Sequence, residues 1–292
     1  RMSNKSYKLG VGLDVGTMNF VSARKSGPEV ESKYKVVRDA YIELDLENIK
    51  TLKMSNISFE EIDGQIVVMG DSSFQMANMF KQEVKRPLSR GIVSPGAIKA
   101  QMILNNLVWS VLDRSLEDGE HCYYSVPAEP IDLPDQDVVY HADVFRKILV
   151  QHGYSAHPMN EAMAIIYSEC HPTFSGLALS FGAGLCNVAM AHHTIMGLSF
   201  SIARGGGDWI DTHAAKATGS TVSRMCAVKE RGGFDLMKPS KDNSEQEAIS
   251  LYVRTMIHYC IDKIAEKLRK EHNDLDILDE IPIVLSGGTT LA

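Results

Sequence analysis

The chain has 292 residues, 44% of them hydrophobic, which is enough to bury one large core or two linked ones, and two lobes suit the usual domain size better. A formal charge of -7 and a pI near 5.8 lack the basic excess a phosphate-backbone binder needs, so nucleic acid is not an expected partner. Five cysteines (Cys122, Cys170, Cys186, Cys226, Cys260) without CxxC spacing argue against a disulfide framework or a zinc site and point to a reducing cytoplasm. No apolar run approaches the roughly 18 to 20 residues of a transmembrane segment.

From Leu9 to Phe20 apolar alternation predicts a strand that breaks at Asp14-Val15-Gly16-Thr17 and resumes at Phe20 and Val21. Arg1 ahead of Met2 reads as a remnant of expression. Residues 27–70 mix polar loops with a short strand at 66–69, and a small insertion on the first lobe is expected over about 27–80. After Pro95 the pattern turns helical, with Ile98, Met102, Leu107, Val108 and Val111 on one stripe. "YYSVPAEP" reads as a buried strand ended by proline, followed by a helix through Val138, Ala142, Phe145 and Leu149 with Gly153 as its C-cap. A second strand, Leu177 to Phe181, runs into Gly182-Ala183-Gly184 and out again through Val188 and Met190. "SFSIARGGGDWIDTHAAKATG" is a strand entering a helix through three glycines. The polar run "MKPSKDNSEQEA" reads as a solvated loop, and an amphipathic helix from about 248 to 270 leads to "IPIVLSGGTTLA".

Two passes of strand, glycine turn and strand, followed by helices, indicate an α/β chain with a first lobe at 1–156 and a second at 157–292. The turn at Asp14, Gly16 and Thr17 carries two readings. It is an ordinary hairpin, or its N–H groups and the Thr17 hydroxyl hold phosphate oxygens while Asp14 faces the water shell of a metal ion. The turn at Gly182, Ala183 and Gly184 repeats it roughly 165 residues later, and Ser286-Gly287-Gly288-Thr289 would let a purine and ribose lie close to the backbone. Ten histidines, His192-His193 included, show no ligand spacing, so no metal site is expected on them.

The order DxGT, a strand ending in VP, a second glycine turn, GGD opening a helix, then SGGTT resembles the actin-like ATPase superfamily, which includes actin, MreB proteins and seventy-kilodalton heat-shock chaperones. "RPLSRGIVS" at 86–94 resembles an MreB segment, and "GDSSFQM" and "CAVKERGGF" resemble magnetosome actins of the MamK kind. The resemblance implies a two-lobed actin-like fold, two RNase H-like domains around a nucleotide cleft, that binds ATP or GTP with Mg²⁺. It makes Asp14, Gly16, Thr17 and Asn19 the first phosphate loop, with Asp14 as the metal residue and, together with Glu161, the catalytic one. Gly182, Ala183 and Gly184 become the second loop, and Ser286, Gly287, Gly288 and Thr289 the adenosine motif. Glu161 would orient the attacking water, although an N-terminal helix carboxylate satisfying the dipole has the same sequence signature. Gly206, Gly207 and Asp208 open the helix beneath the nucleotide, with Asp208 a cap or a contact. Lys229 and Glu230 match positions near ribose and base, or form a solvated face.

Ser180 departs from the resemblance, since relatives usually carry Asp there, as they often do at Asn187. A hydroxyl supplies no charge, and hydrolysis is expected to slow by roughly 2 to 4 kcal/mol of barrier. Relatives also continue past the position of Ala292, so the helices returning to the first lobe are expected either to lie outside these 292 residues or to be absent from a reduced protein. The expected function is a cytoplasmic cytoskeletal protein that assembles head to tail with copies of itself and docks cell-envelope or organelle adaptors. The alternative is a nucleotide-binding adaptor of the FtsA or PilM kind. A small-molecule kinase of the same fold lacks a candidate base.

Overall fold

The computed structural model describes residues 10–25, 27, 31–93, 98–134, 136–271 and 280–291. The expectations placed on Arg1, Met2, Leu9, Ser94, Pro95 and Ala292, and on residues 28–30 of the expected insertion, lie outside the described residues. The chain divides into two compact units, one of Arg1–Leu88, Val93–Val126 and Val139–Met159, the other of Ser89–Ile92, Pro127–Val138 and Asn160–Ala292.

In the first unit, β1 (Val11–Val15), β2 (Asn19–Arg24) and β3 (Lys33–Arg38) form an antiparallel meander. A subsidiary layer follows, from β4 (Tyr41–Leu44), α1 (Ile49–Met54), β5 (Glu60–Ile62), β6 (Gln65–Met69) and α2 (Asp71–Phe80). Its sheet, ordered β4-β6-β5, has a core of its own around Ile42, Leu44, Leu52, Ile66 and Val68. The insertion expected over about 27–80 therefore begins later, because Lys33–Arg38 pairs along its length with β2 and belongs to the main sheet. Its residues 33–36 are exposed on both sides, so the strand has no apolar alternation by which a sequence reading would find it.

After the short strands β7 (Leu88–Ser89) and β8 (Ile92–Val93) come α3 (Ile98–Val111), β9 (Glu120–Val126), α4 (Val138–Gln151) and β10 (Tyr154–Asn160). The strand order is β10-β9-β1-β2-β3, with β9 parallel to β1. Buried residues of α3 and α4, among them Leu104, Val108, Phe145 and Leu149, pack on Leu13, Phe20 and Tyr124.

In the second unit, beyond Ser89–Ile92 and Pro127–Val138, the chain from Asn160 enters α5 (Glu161–Glu169) and repeats the layout. β11 (Gly176–Phe181), β12 (Cys186–His192) and β13 (Ile195–Ile202) form another antiparallel meander. α6 (Gly207–Thr218), α7 (Val222–Arg231) and α8 (Ser244–Glu271) follow, and β14 (Ile283–Ser286) lies parallel beside β11 in the order β13-β12-β11-β14. Each of the two main sheets thus holds a three-stranded meander with a parallel strand next to its first strand, and the first adds β10 beyond that strand. α8 starts four residues before the expected 248, inside the run read as a solvated loop. The Asn243 side chain accepts the Gln246 amide at 3.1 Å, and Glu245 and Glu247 in the first turn complement the helix dipole, so these polar residues start a helix.

Candidate functional site

Strand alternation sets the first cluster, in unit one. Leu13 and Val15 are buried and Asp14 between them faces outward, exposed. The Val15 amide donates to Ser125 Oγ at 2.7 Å, and that hydroxyl donates to Asp14 Oδ1, also at 2.7 Å. One carboxylate oxygen of Asp14 is therefore fixed by a residue of β9. The Gly16 amide closes the turn on Asn19 O at 3.1 Å. A Cβ on Gly16 would lie 2.8 Å from that oxygen, so only glycine fits. Thr17 is buried, and Asn19 opens β2 half-buried.

The second cluster belongs to unit two and stands on one hairpin. The turn between β11 and β12 is closed by the Gly182 amide on Leu185 O at 2.9 Å, which sets Ser180 directly opposite Asn187. Cross-strand partners share a face, so the two side chains stand together. The row extends across the sheet, Asn187 pairing with Ser201 of β13 and Ser180 with Ser286 of β14. Ser180, Asn187 and Ser201 are all buried.

The hydrogen bonds of this row converge on one carboxylate. Asn160 caps α5, its side chain accepting the Met163 amide at 3.0 Å and donating to Ser199 Oγ at 2.9 Å, which makes Glu161 the first residue of the helix. The Ser180 hydroxyl donates to Glu161 Oε1 at 2.6 Å, and Asn187 Nδ2 donates to Oε2 at 2.8 Å. Asn187 Oδ1 accepts the Ala128 amide at 3.1 Å, while Ser201 Oγ donates to Ala128 O at 2.8 Å. Ser180 is therefore a bound donor to Glu161, and the helix-terminus reading of Glu161 accounts for its place in the chain but not for these two side-chain donors.

Beside the hairpin, three backbone segments pack with no room for side chains. The Gly207 and Asp208 amides at the start of α6 donate to Gly182 O and Ala183 O at 3.0 and 2.8 Å. A Cβ on Gly206 would sit 2.4 Å from Ala183 O, and one on Gly287, whose φ is +100°, would sit 2.3 Å from Phe181 O. Thr289 Oγ1 lies 3.4 Å from Gly182 O. The N-cap of α6 is Gly206, so Asp208 is a first-turn residue and not the cap, and its amide is committed to the turn. Gly184 completes the turn against Gly206, and Gly288 is open.

Lys229 does not form a solvated face. Its Nζ donates to Gly207 O at 2.9 Å and to Asp211 Oδ2 at 2.8 Å, with the two side chains 10% and 1% exposed. Burial pushes the Asp211 carboxyl above its usual range, and the Lys229 charge opposes that. Glu230 next to it lies exposed on α7. Ser125 and Asp211 were missed by sequence reasoning, Ser125 because its partner is 111 residues away. The turn length of 182–185 alone would have paired Ser180 with Asn187.

Among the described residues no group of three or more His, Cys, Asp or Glu could hold a metal ion, and no helix is long and apolar enough to cross a membrane. A lone carboxylate such as Asp14 fits Mg²⁺ in the form that ion usually takes, with waters and substrate phosphates supplying most ligands.

A family model described as Volactin matches residues 9–292. No curated protein matches. Among solved structures, the MamK double helical filament aligns at TM-score 0.70 and 18% identity, over 97% of this chain and 86% of that one. MreB5 of Spiroplasma citri bound to AMPPNP aligns at TM-score 0.65 and 13% identity, over 96% and 85%. The ethanolamine utilization protein EutJ from Carboxydothermus hydrogenoformans aligns at TM-score 0.50 and 16% identity, over 97% and 77%. The fold is the actin-like one.

Proposed function

The chain belongs to the volactin family, and from that membership and its actin-like fold we propose that it binds ATP with Mg²⁺ and polymerises head to tail into cytoskeletal filaments, with slow hydrolysis. The observation that carries this reading is the duplicated device, a glycine turn leaving the first strand of each of two like sheets. Two such turns, 14–17 and 182–184, suit a single phosphate chain, because small-residue backbone presents N–H groups without side chains in the way. The neighbour described as a double helical filament and the one bound to AMPPNP support assembly and nucleotide binding respectively.

In this reading Asp14, oriented by Ser125, would hold Mg²⁺ through water, and the bound ion would neutralise phosphate charge. Gly16, Thr17 and Asn19 are the phosphate-binding residues of the first turn, and Gly182, Ala183 and Gly184 those of the second. Gly206, Gly207 and Asp208 act by holding the second turn in place. The bared backbone around Gly287 and Gly288, flanked by Ser286 and Thr289, receives the nucleoside, and Lys229 and Glu230 border it. Filaments would lie in the cytoplasm, with adaptor proteins as further partners. Electron microscopy of purified protein tests the reading: ordered filaments with ATP-Mg²⁺, and fewer without, are expected. Binding of a fluorescent ATP analogue without filaments at any concentration would instead indicate an adaptor, and GTP outcompeting ATP would overturn the choice of nucleotide.

A further inference from the structure

We infer that Ser180 and Asn187 are positioning residues, a pair of neutral donors that aim the Glu161 carboxylate at the water attacking the bound nucleotide. The inference rests on the proposed nucleotide binding and deepens it. Three observations carry it: both oxygens of Glu161 take a side-chain donor, at 2.6 and 2.8 Å; both donors are buried, so water does not compete for them; and both donors are anchored, since the hairpin register locks Ser180 opposite Asn187 and the Ala128 amide holds Asn187 Oδ1.

The two donors, one on each carboxylate oxygen, remove the side chain's rotational freedom. The order of Asn187 is also defined: its amide nitrogen faces Glu161 because its oxygen is committed to a backbone N–H. In the step served, the water oxygen bonds to the γ-phosphorus, and the bond from that phosphorus to the bridging oxygen breaks with its electron pair leaving on ADP. The water's proton passes to Glu161 and on to solvent, giving ADP and inorganic phosphate.

The test compares Ser180→Ala, Ser180→Thr and Glu161→Gln for ATP-analogue affinity, single-turnover phosphate release and denaturant unfolding. Ser180→Ala is expected to slow release at least ten-fold while changing affinity less than two-fold, and Ser180→Thr, which keeps the hydroxyl, to recover most of that loss. In a Glu161→Gln background Ser180→Ala should cost release nothing further, and the unfolding cycle of the same pair should be non-additive, which checks the contact without nucleotide. Additive losses, or Thr no better than Ala, overturn the positioning role. Wild type that binds the analogue but releases no phosphate overturns it as well and leaves nucleotide binding standing, whereas wild type that binds no analogue overturns the proposed function itself.

Discussion

Replacing Lys229 by methionine should be among the most damaging single changes in the second unit. Methionine fills much the same space, so the perturbation is the charge. Asp211 is 1% exposed, its Oδ2 lies 2.8 Å from Lys229 Nζ, and Lys229 also holds Gly207 O. Removing one partner of a buried pair leaves an uncompensated buried charge, at a cost of about 3 to 5 kcal/mol. At about 2 to 4 °C per kcal/mol for a protein of this size, the melting temperature should fall by roughly 6 to 20 °C near neutral pH. The pH dependence has a fixed sign. The folded pKa of Asp211 is already raised by burial, and losing Lys229 raises it further, so the deficit is full at high pH and shrinks as pH falls through that raised value and the carboxyl takes up a proton. Scanning calorimetry from pH 4.5 to 8 measures it. The double variant Lys229→Met/Asp211→Leu should regain most of the loss. A deficit below about 1 kcal/mol, the range of a surface pair, or one independent of pH would refute the reasoning.

Gly206→Ala should destabilise the second unit by about 1 to 3 kcal/mol, because the added Cβ meets Ala183 O and the Gly184 carbonyl carbon at 2.4 Å, and it should weaken ATP-analogue binding more than ten-fold by displacing the turn. Unchanged affinity would remove that turn from the binding site. Ser180→Asp should set two carboxylates about 3 Å apart, a repulsion of roughly 5 kcal/mol at an effective dielectric of 20, so the variant should be least stable at high pH and gain stability on acidification or with added Mg²⁺. A melting temperature equal to wild type across pH 5 to 8 would contradict the contact. His141 in the first unit is wholly buried, and burial lowers its pKa to about 4. The unfolded chain therefore takes up a proton first, and about 3 kcal/mol of stability should be lost as pH falls from 6.5 to 4. His141→Gln, which can still accept the Val93 amide, should flatten that acid slope in denaturant titrations.

What the sequence determined by itself is what short-range geometry determines. Apolar alternation marks β1 and β11, and each strand is followed by glycines, of which Gly16 has no space for a side chain. Those signals are local because pleat and turn conformation depend on neighbouring residues. β3 escaped because an edge strand exposed on both faces has no pattern to read, and the start of α8 escaped because polar capping residues resemble a loop in composition. Tertiary structure alone decided the partners of the site side chains. Asp14 meets Ser125 because β1 and β9 lie side by side, and Asn187 meets Ala128 because residues 128–131 bond to Ser201 of β13. Ser180 shows the difference most clearly. Its residue type announced a missing charge, and only the paired strands and the helix set above them revealed that its hydroxyl is committed to Glu161, since a hydrogen bond depends on where two chain segments pack and not on either segment's sequence.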